Sequence, residues 1–185
     1  MTPLLRKDDI LRGLRQLDAL ALDAGMLVDL SIYGGAALVL AFDIRRATRD
    51  VDAVVNGNPD FLRNAVRAIA EIEGWPDDWL NDGVKGFTSS RESMKLLQHF
   101  EAAQGSGLRV LTPSPEYLFA MKCMAMRLDL SSDVADIEAL AGIANIRDVK
   151  TALELVADFY PSQNIPAKVR FGVEEIMERL IRSSR

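Results

Sequence analysis

The chain has one cysteine and one histidine in 185 residues. A lone Cys123 excludes an internal disulfide and a thiolate zinc site, which agrees with a reducing compartment. On the apolar helix expected around it, it reads as filler. A lone His99 excludes a histidine metal cluster, and no Ser-His-Asp triad can be built without it. It reads as an ordinary surface or helix-end residue. Also missing is any apolar run long enough to cross a bilayer, since stretches such as Ala36 to Phe42 are far too short. Met1 to Arg15 is charged where a secretory signal would be apolar, so the expected location is cytoplasmic, with no membrane partner. Basic residues are not in excess. A net charge of −5 argues against a surface coated in positive charge and leaves a local patch as the route to a nucleic acid.

What is present is enough for a folded core: 49% hydrophobic and 26% charged residues, with no repeat or low-complexity segment. The length predicts one compact body with an appended subdomain. Asp8 and Asp9 open a helical pattern through Leu11, Leu14, Leu17 and Ala21, with Gly25 placed to end it. Val28 to Tyr33 alternates as a half-buried strand and runs into Gly34-Gly35 and an apolar helix from Ala36 to Phe42. Val51 to Val55 is a second strand, and Asn56-Gly57-Asn58-Pro59 turns the chain into a helix from about Asp60 to Glu73. Between Gly74 and Gly107, Trp75-Pro76 and Asn81-Asp82-Gly83 read as loop and Arg91 to Ala103 as helical. Leu108 to Leu111 is a short strand. After Ser114 and Pro115, which suit the N-cap and first turn of a helix, the pattern is wholly helical: Pro115 to Asp129, Ser132 to Ala144, Asp148 to Phe159 and Ala167 to Ile181. The expected organisation is a small α/β half over 1–112 and a helical subdomain over 113–185.

The chemistry concentrates in two short stretches. Alternate residues of a strand share a face, so Asp50 and Asp52 project together with Val51 turned into the core. Two carboxylates this close repel unless a cation lies between them, and hard oxygen ligands suit Mg²⁺ (or Mn²⁺) bridging to phosphates. Gly34-Gly35 lets the backbone approach an anionic ligand closely. Arg45, Arg46, Thr48 and Arg49 crowd the approach to the acids and suggest a phosphate ligand, although a solvated loop balancing local charge explains Arg45 or Arg46 equally well. Trp75 and Trp79 are read as packing their loop on the body, and Met121, Met124 and Met126 as core. Lys85, Arg91 and Lys95 are read as either a basic edge for RNA or an ordinary solvated face.

Gly34-Gly35-Ala36 followed by Arg46-Ala47-Thr48-Arg49-Asp50-Val51-Asp52 resembles the signature of polymerase-beta-like nucleotidyltransferases, and most closely the AbiEii-like branch, which includes bacterial toxin–antitoxin and phage-defence proteins. Trp79-Leu80-Asn81-Asp82 resembles a recurring loop of that group. Lys122, Ala125, Arg127, Asp133, Asp136-Ile137 and Leu140 fit its K-x-x-A-x-R…D-x-x-D-I-x-x-L pattern, so the resemblance runs from about Ser31 to Leu140. It implies a nucleotidyltransferase fold of the α+β type: a small mixed sheet flanked by helices, then a helical subdomain that completes the active site. By the same resemblance, Asp50 and Asp52 would bind metal, Gly34 and Gly35 would hold the triphosphate with Arg46, Thr48 and Arg49 beside them, and Lys122 would contact phosphate with Asp136. Asp133 shares a helix face with Asp136, and a favourable charge at a helix N-terminus explains it slightly better than a role in the site. Lys122 lies in an apolar stretch where a charge needs a partner, and a salt bridge to Asp136 would by itself explain it.

One departure from the pattern stands out. Many nucleotidyltransferases carry a third carboxylate on a later strand, whereas Leu108-Arg109-Val110-Leu111 offers an arginine. Three outcomes stay open: one principal metal working with Lys122 and Asp136, a substitute acid from Asp78 or Asp82, or loss of catalysis. The expected function is transfer of a nucleoside monophosphate from an NTP, with Mg²⁺, to an acceptor hydroxyl. The acceptor implied by the resemblance is RNA such as the 3′ end of a tRNA, with a toxin-like role and a cognate antitoxin as a partner. The alternatives are a small-molecule nucleotidyltransferase of aminoglycoside type, which needs an acidic acceptor pocket, and a non-catalytic nucleotide-binding or interaction module.

Overall fold

The computed structural model describes residues 3–97, 107–127 and 131–183. The chain has a mixed α/β architecture that divides into two compact units. The first is Met1–Gly86 with Met94–Thr112, and the second is Phe87–Ser93 with Pro113–Arg185. His99, the later part of the helix expected over Arg91 to Ala103, and the end of the helix expected to reach Asp129 lie outside the described residues.

The first unit is built on a five-stranded sheet of order β5-β4-β2-β7-β6, formed by β2 (Val28–Ile32), β4 (Val51–Asn56), β5 (Leu80–Asn81), β6 (Met94–Leu96) and β7 (Leu108–Pro113). Strand β2 pairs antiparallel with β4 and parallel with β7, while β4 pairs parallel with β5. Val28, Leu30 and Ile32 are buried and Asp29 and Ser31 are partly exposed, which is the alternation of a half-covered strand. Helix α1 (Lys7–Asp23) buries Ile10, Leu11, Leu14, Leu17 and Ala21 at helical spacing and packs against α3 (Pro59–Glu73). Helix α3 starts as its sequence predicts: Asn58 Oδ1 accepts from the Asp60 and Phe61 N–H groups at 3.0 Å each, and Pro59 occupies the first turn. A two-stranded ribbon joins β1 (Leu5–Arg6) to β3 (Ala47–Thr48), pairing Leu5 with Thr48.

Several boundaries differ from the sequence reading. The double glycine is not a turn ahead of the helix but its first residues: α2 runs Gly34–Leu40, with Ala36 to Leu40 all buried. Met94–Leu96 forms an edge strand rather than part of a helix. Its three residues carry no helical periodicity, and Leu97 N–H bonds to Val110 O at 3.0 Å, a partner local sequence cannot supply. Leu80–Asn81 is likewise a strand, followed by a 3₁₀ turn over Gly83–Phe87. It is anchored by Trp79, which is fully buried, donates its Nε1–H to Val66 O at 3.1 Å and meets Trp75 edge-on at 5.1 Å. The reading of Trp79 as packing agrees with this.

The second unit is helical: α4 (Pro115–Ala125), α5 (Ser131–Ile143), α6 (Val149–Phe159) and α7 (Ala167–Ser183). Ser114 caps α4 by accepting from Tyr117 N–H at 3.2 Å, and Asp148 caps α6 by accepting from Thr151 N–H at 2.8 Å. Helix α4 packs on α5, α6 and α7, burying Tyr117 to Met121 and Cys123. The Cys123 thiol is pushed up by complete burial, which makes it inert filler. Met121 and Met126 are buried as expected, whereas Met124 is only partly so. Segment 87–93 is held to the helices by Ser89 N–H donating to Tyr117 Oη at 2.8 Å and by the Tyr160 hydroxyl donating to Phe87 O at 2.5 Å.

An acid-sensitive cluster ties α1 to α3. The Arg6 backbone N–H, followed by Arg12, holds Asp9 below the usual carboxylate range, and Arg12 with Gln16 does the same for Glu73. Groups whose folded values are depressed contribute stability above their unfolded values and lose it as pH falls through the folded ones. The melting temperature should therefore stay level from neutral pH to about 5 and fall below about 4. Arg12→Met should flatten that fall, as differential scanning fluorimetry across pH will show.

Candidate active site

Strand β4 and helix α2 place Asp52 against Gly34. Asp52 is the second residue of β4, partly exposed between buried Val51 and Ala53. Asp50 lies in the bend just before that strand, so the pair straddles the strand's start. Gly34 has φ +57°, and a Cβ built there would lie 2.6 Å from Asp52 Oδ2. A Cβ on Gly35 would lie 2.5 Å from Thr48 Oγ1 and 3.6 Å from Arg45 Nη1. The two glycines thus act differently: the first permits a left-handed backbone against the acid, and the second admits Thr48 and Arg45. Thr48 is buried, held by the β1–β3 ribbon.

Within the first unit the structure gathers Gly34, Gly35, Thr48 and Asp52, and Asp50 is touched by Asn81, whose Nδ2 lies 3.4 Å from Asp50 Oδ2. Arg46 and Arg49 are exposed on either side of β3, while Arg45 is the arginine that reaches the glycines. Sequence spacing does not rank these three, because the contact that separates them is with Gly35, ten residues or more away along the chain. Asn81 was read only as part of a loop. Its signal was the Trp79-Leu80 anchor, which sets it beside Asp52 in the parallel ladder.

Of the acids weighed as a substitute third carboxylate, Asp78 is exposed and its backbone carbonyl accepts from Asn81 Nδ2 at 3.5 Å. Asp82 is exposed and ion-paired to Lys85 at 2.6 Å, which holds its carboxyl below the usual range. Among the described residues, no group of three or more His, Cys, Asp or Glu side chains is arranged to hold a metal ion. Arg109, at the strand position where an acid was sought, makes a two-pronged pair with Asp29 opposite it on β2, at 2.8 and 2.6 Å. Two carboxylates still fit Mg²⁺, which binds through one or two carboxylates plus substrate phosphates and water. Without a Cβ at Gly34, the Asp52 carboxylate lies close against the backbone at the start of α2.

The downstream motif folds into two rungs joining the end of α4 to α5. Lys122 Nζ lies 2.8 Å from Asp136 Oδ2, with side chains 14% and 3% exposed. Asp133, in the first turn of α5, accepts from Arg127 N–H and Nε–H at 3.3 and 3.2 Å. Asp133 is thereby explained as a local tie. Of the basic residues considered for RNA, Lys85 is paired to Asp82 and Arg91 Nη1 donates to Asp158 O at 2.9 Å, while Lys95 is exposed.

A cleft of about 350 Å³ next to Asn81 is lined by the apolar Val55, Leu62, Val66 and Leu80, the acids Asp77, Asp78 and Asp82 and the cations Arg63 and Lys85.

Residues 12–165 match the family described as nucleotidyltransferase of unknown function (DUF6036). The chain belongs to this family. No curated protein and no solved structure matches it at a comparable level. The glycine-flanked carboxylates therefore lie in a nucleotidyltransferase family chain, for which a nucleotide substrate and transferase chemistry follow. No helix among the described residues of this nucleotidyltransferase is long and apolar enough to cross a membrane.

Alanine at Gly34 tests the fit against Asp52. It forces a Cβ residue into the left-handed region, at about 1–2 kcal/mol, and pushes the Asp52 carboxylate aside. We expect urea unfolding to show a loss of that size, and nucleotide affinity to fall further than Gly35→Ala lowers it.

Proposed function

We propose that the protein transfers a nucleoside monophosphate from an NTP to an acceptor hydroxyl on RNA, the 3′ end of a tRNA being the leading acceptor, as a toxin-like enzyme of the AbiEii-like branch with a cognate antitoxin as partner. The observation that carries the transferase part is the left-handed Gly34 set against Asp52. A side chain is excluded there so that a ligand's phosphates can approach the acid. The acceptor, the branch and the antitoxin rest on the motif resemblance.

In this reading the acceptor oxygen forms a bond to the α-phosphorus, the bond from that phosphorus to the bridging oxygen breaks, and pyrophosphate leaves while the hydroxyl proton passes to water. Asp50 and Asp52 would hold Mg²⁺ or Mn²⁺, which would supply neutralisation of phosphate charge. Gly34 and Gly35 admit the triphosphate, and Thr48 and Arg45 donate to its oxygens, with Arg46 and Arg49 adding positive potential from the exposed flanks. Lys122, oriented by Asp136, is assigned to phosphate on the strength of the motif. With no third acid grouped with them among the described residues, Asp50 and Asp52 would hold one principal metal.

A second reading, transfer to a small cationic hydroxylated molecule, draws on the cleft beside Asn81, where Lys85 pairs with Asp82 and Arg63 with Asp60 while Asp77 and Asp78 add negative charge. Incubation with each α-labelled NTP, Mg²⁺ and total tRNA separates the two. Label on RNA that disappears without Mg²⁺ supports the first, and label on an aminoglycoside alone supports the second. Nucleotide binding with no transfer to any acceptor sinks both in favour of a binding module.

A further inference from the structure

We propose that Asn81 is a positioning residue for the metal-binding pair: its side-chain amide holds Asp50 while its backbone holds the strand beside Asp52. The inference rests on the nucleotidyl-transfer reading above and adds to it a residue outside the glycine and aspartate motifs.

Three observations carry it. The parallel register sets Asn81 directly against Asp52. The amide Oδ1 accepts from Gly83 N–H at 2.9 Å, so that end is committed and Nδ2 is the end presented to Asp50 Oδ2, at 3.4 Å, and to Asp78 O, at 3.5 Å. A Cβ built on Gly83 would lie 3.0 Å from Asn81 Oδ1 and 3.8 Å from Asp52 Oδ1, which places the Asn81 turn beside Asp52. The position is firmly set, since Val51 N–H bonds to Trp79 O at 2.6 Å and the buried Trp79 ring anchors the strand two residues earlier.

The residue type suits the task. Two neighbouring carboxylates repel, and a donor beside one of them steadies it. A lysine there would cancel charge the cation needs, and an acid would add a third negative group. A carboxamide donates without changing the net charge, so it orients one oxygen of Asp50 and leaves the other for the cation. This is the part a neighbouring hydrogen-bond partner plays around a metal ligand.

Two variants of the full chain test it, with Mn²⁺ as the probe and free Mn²⁺ read by electron paramagnetic resonance. Asn81→Ala removes all three side-chain hydrogen bonds and should weaken Mn²⁺ binding and lower kcat about tenfold. Asn81→Asp keeps an acceptor for Gly83 N–H, so the turn persists, but replaces the donor with a third carboxylate. It should hold its melting temperature and bind Mn²⁺ about tenfold more tightly than the wild type, a rise that loss of a turn cap does not produce. Mn²⁺ affinity within about twofold of wild type in both variants, while Asp52→Ala loses binding, would overturn the role of Asn81 and leave the site reading standing. Undiminished Mn²⁺ binding in Asp52→Ala overturns the metal reading itself, and the role of Asn81 with it.

Discussion

Asp52→Ala is expected to lower nucleotidyl transfer by about 10³-fold or more, the equivalent of several kcal/mol of lost electrostatic stabilisation at the reacting phosphate. The side chain is the one aligned with Gly34, where a Cβ would sit 2.6 Å from its Oδ2, and it stands on a strand flanked by two others. Alanine cannot hold a cation, and Asp82, on the turn after Asn81, is ion-paired to Lys85. The fold should survive. Asp52 is a partly exposed strand residue, and deleting one of two adjacent like charges relieves repulsion, so the melting temperature should hold or rise. Steady-state label transfer beside thermal melts gives both quantities. Equal loss of activity and stability would mean that Asp52 is structural.

Asp136→Ala carries the largest expected cost in stability, about 3–5 kcal/mol, because it strands the Lys122 ammonium in an apolar setting. The pair is 2.8 Å long with Asp136 almost fully enclosed, and the residues around Lys122 on α4 are buried from Tyr117 to Cys123 apart from itself. Set against a usual total of about 5–15 kcal/mol, that loss is enough to threaten the helical unit. Replacing both partners together, Lys122→Met with Asp136→Leu, should restore most of the stability, since well-packed apolar residues often match a buried ion pair. Chemical denaturation of the single and double variants measures this. The double variant also separates structure from chemistry: a protein that is stable again but inactive keeps Lys122 in the reaction, and one that is stable and active makes the pair a strut.

Much of the fold was legible because its signals are local. The helical periodicity of α1, the caps at Asn58, Ser114 and Asp148, and the alternation of Val28 to Ile32 each depend on residues within a turn or two of one another. The segment around Met94 was misread for the opposite reason. Three residues hold no period, and their identity as a strand comes from β7, more than ten positions away. The ribbon of Leu5–Arg6 with Ala47–Thr48 left no trace in the sequence reading for the same reason.

The site divides along the same line. By itself the sequence determined the chemical alphabet: two carboxylates at strand spacing, a double glycine ahead of an apolar helix, and a lysine and an aspartate on successive helices. Tertiary structure decided which partner each group takes. Asp50 meets Asn81 because β5 lies parallel to β4, Thr48 reaches Gly35 from the two-residue ribbon with Arg45 beside it, and Asp82 pairs with Lys85. Residue type sets what a group can donate, accept or coordinate. Its neighbour is set by strand register and ribbon geometry, which close over distances along the chain that no local pattern spans.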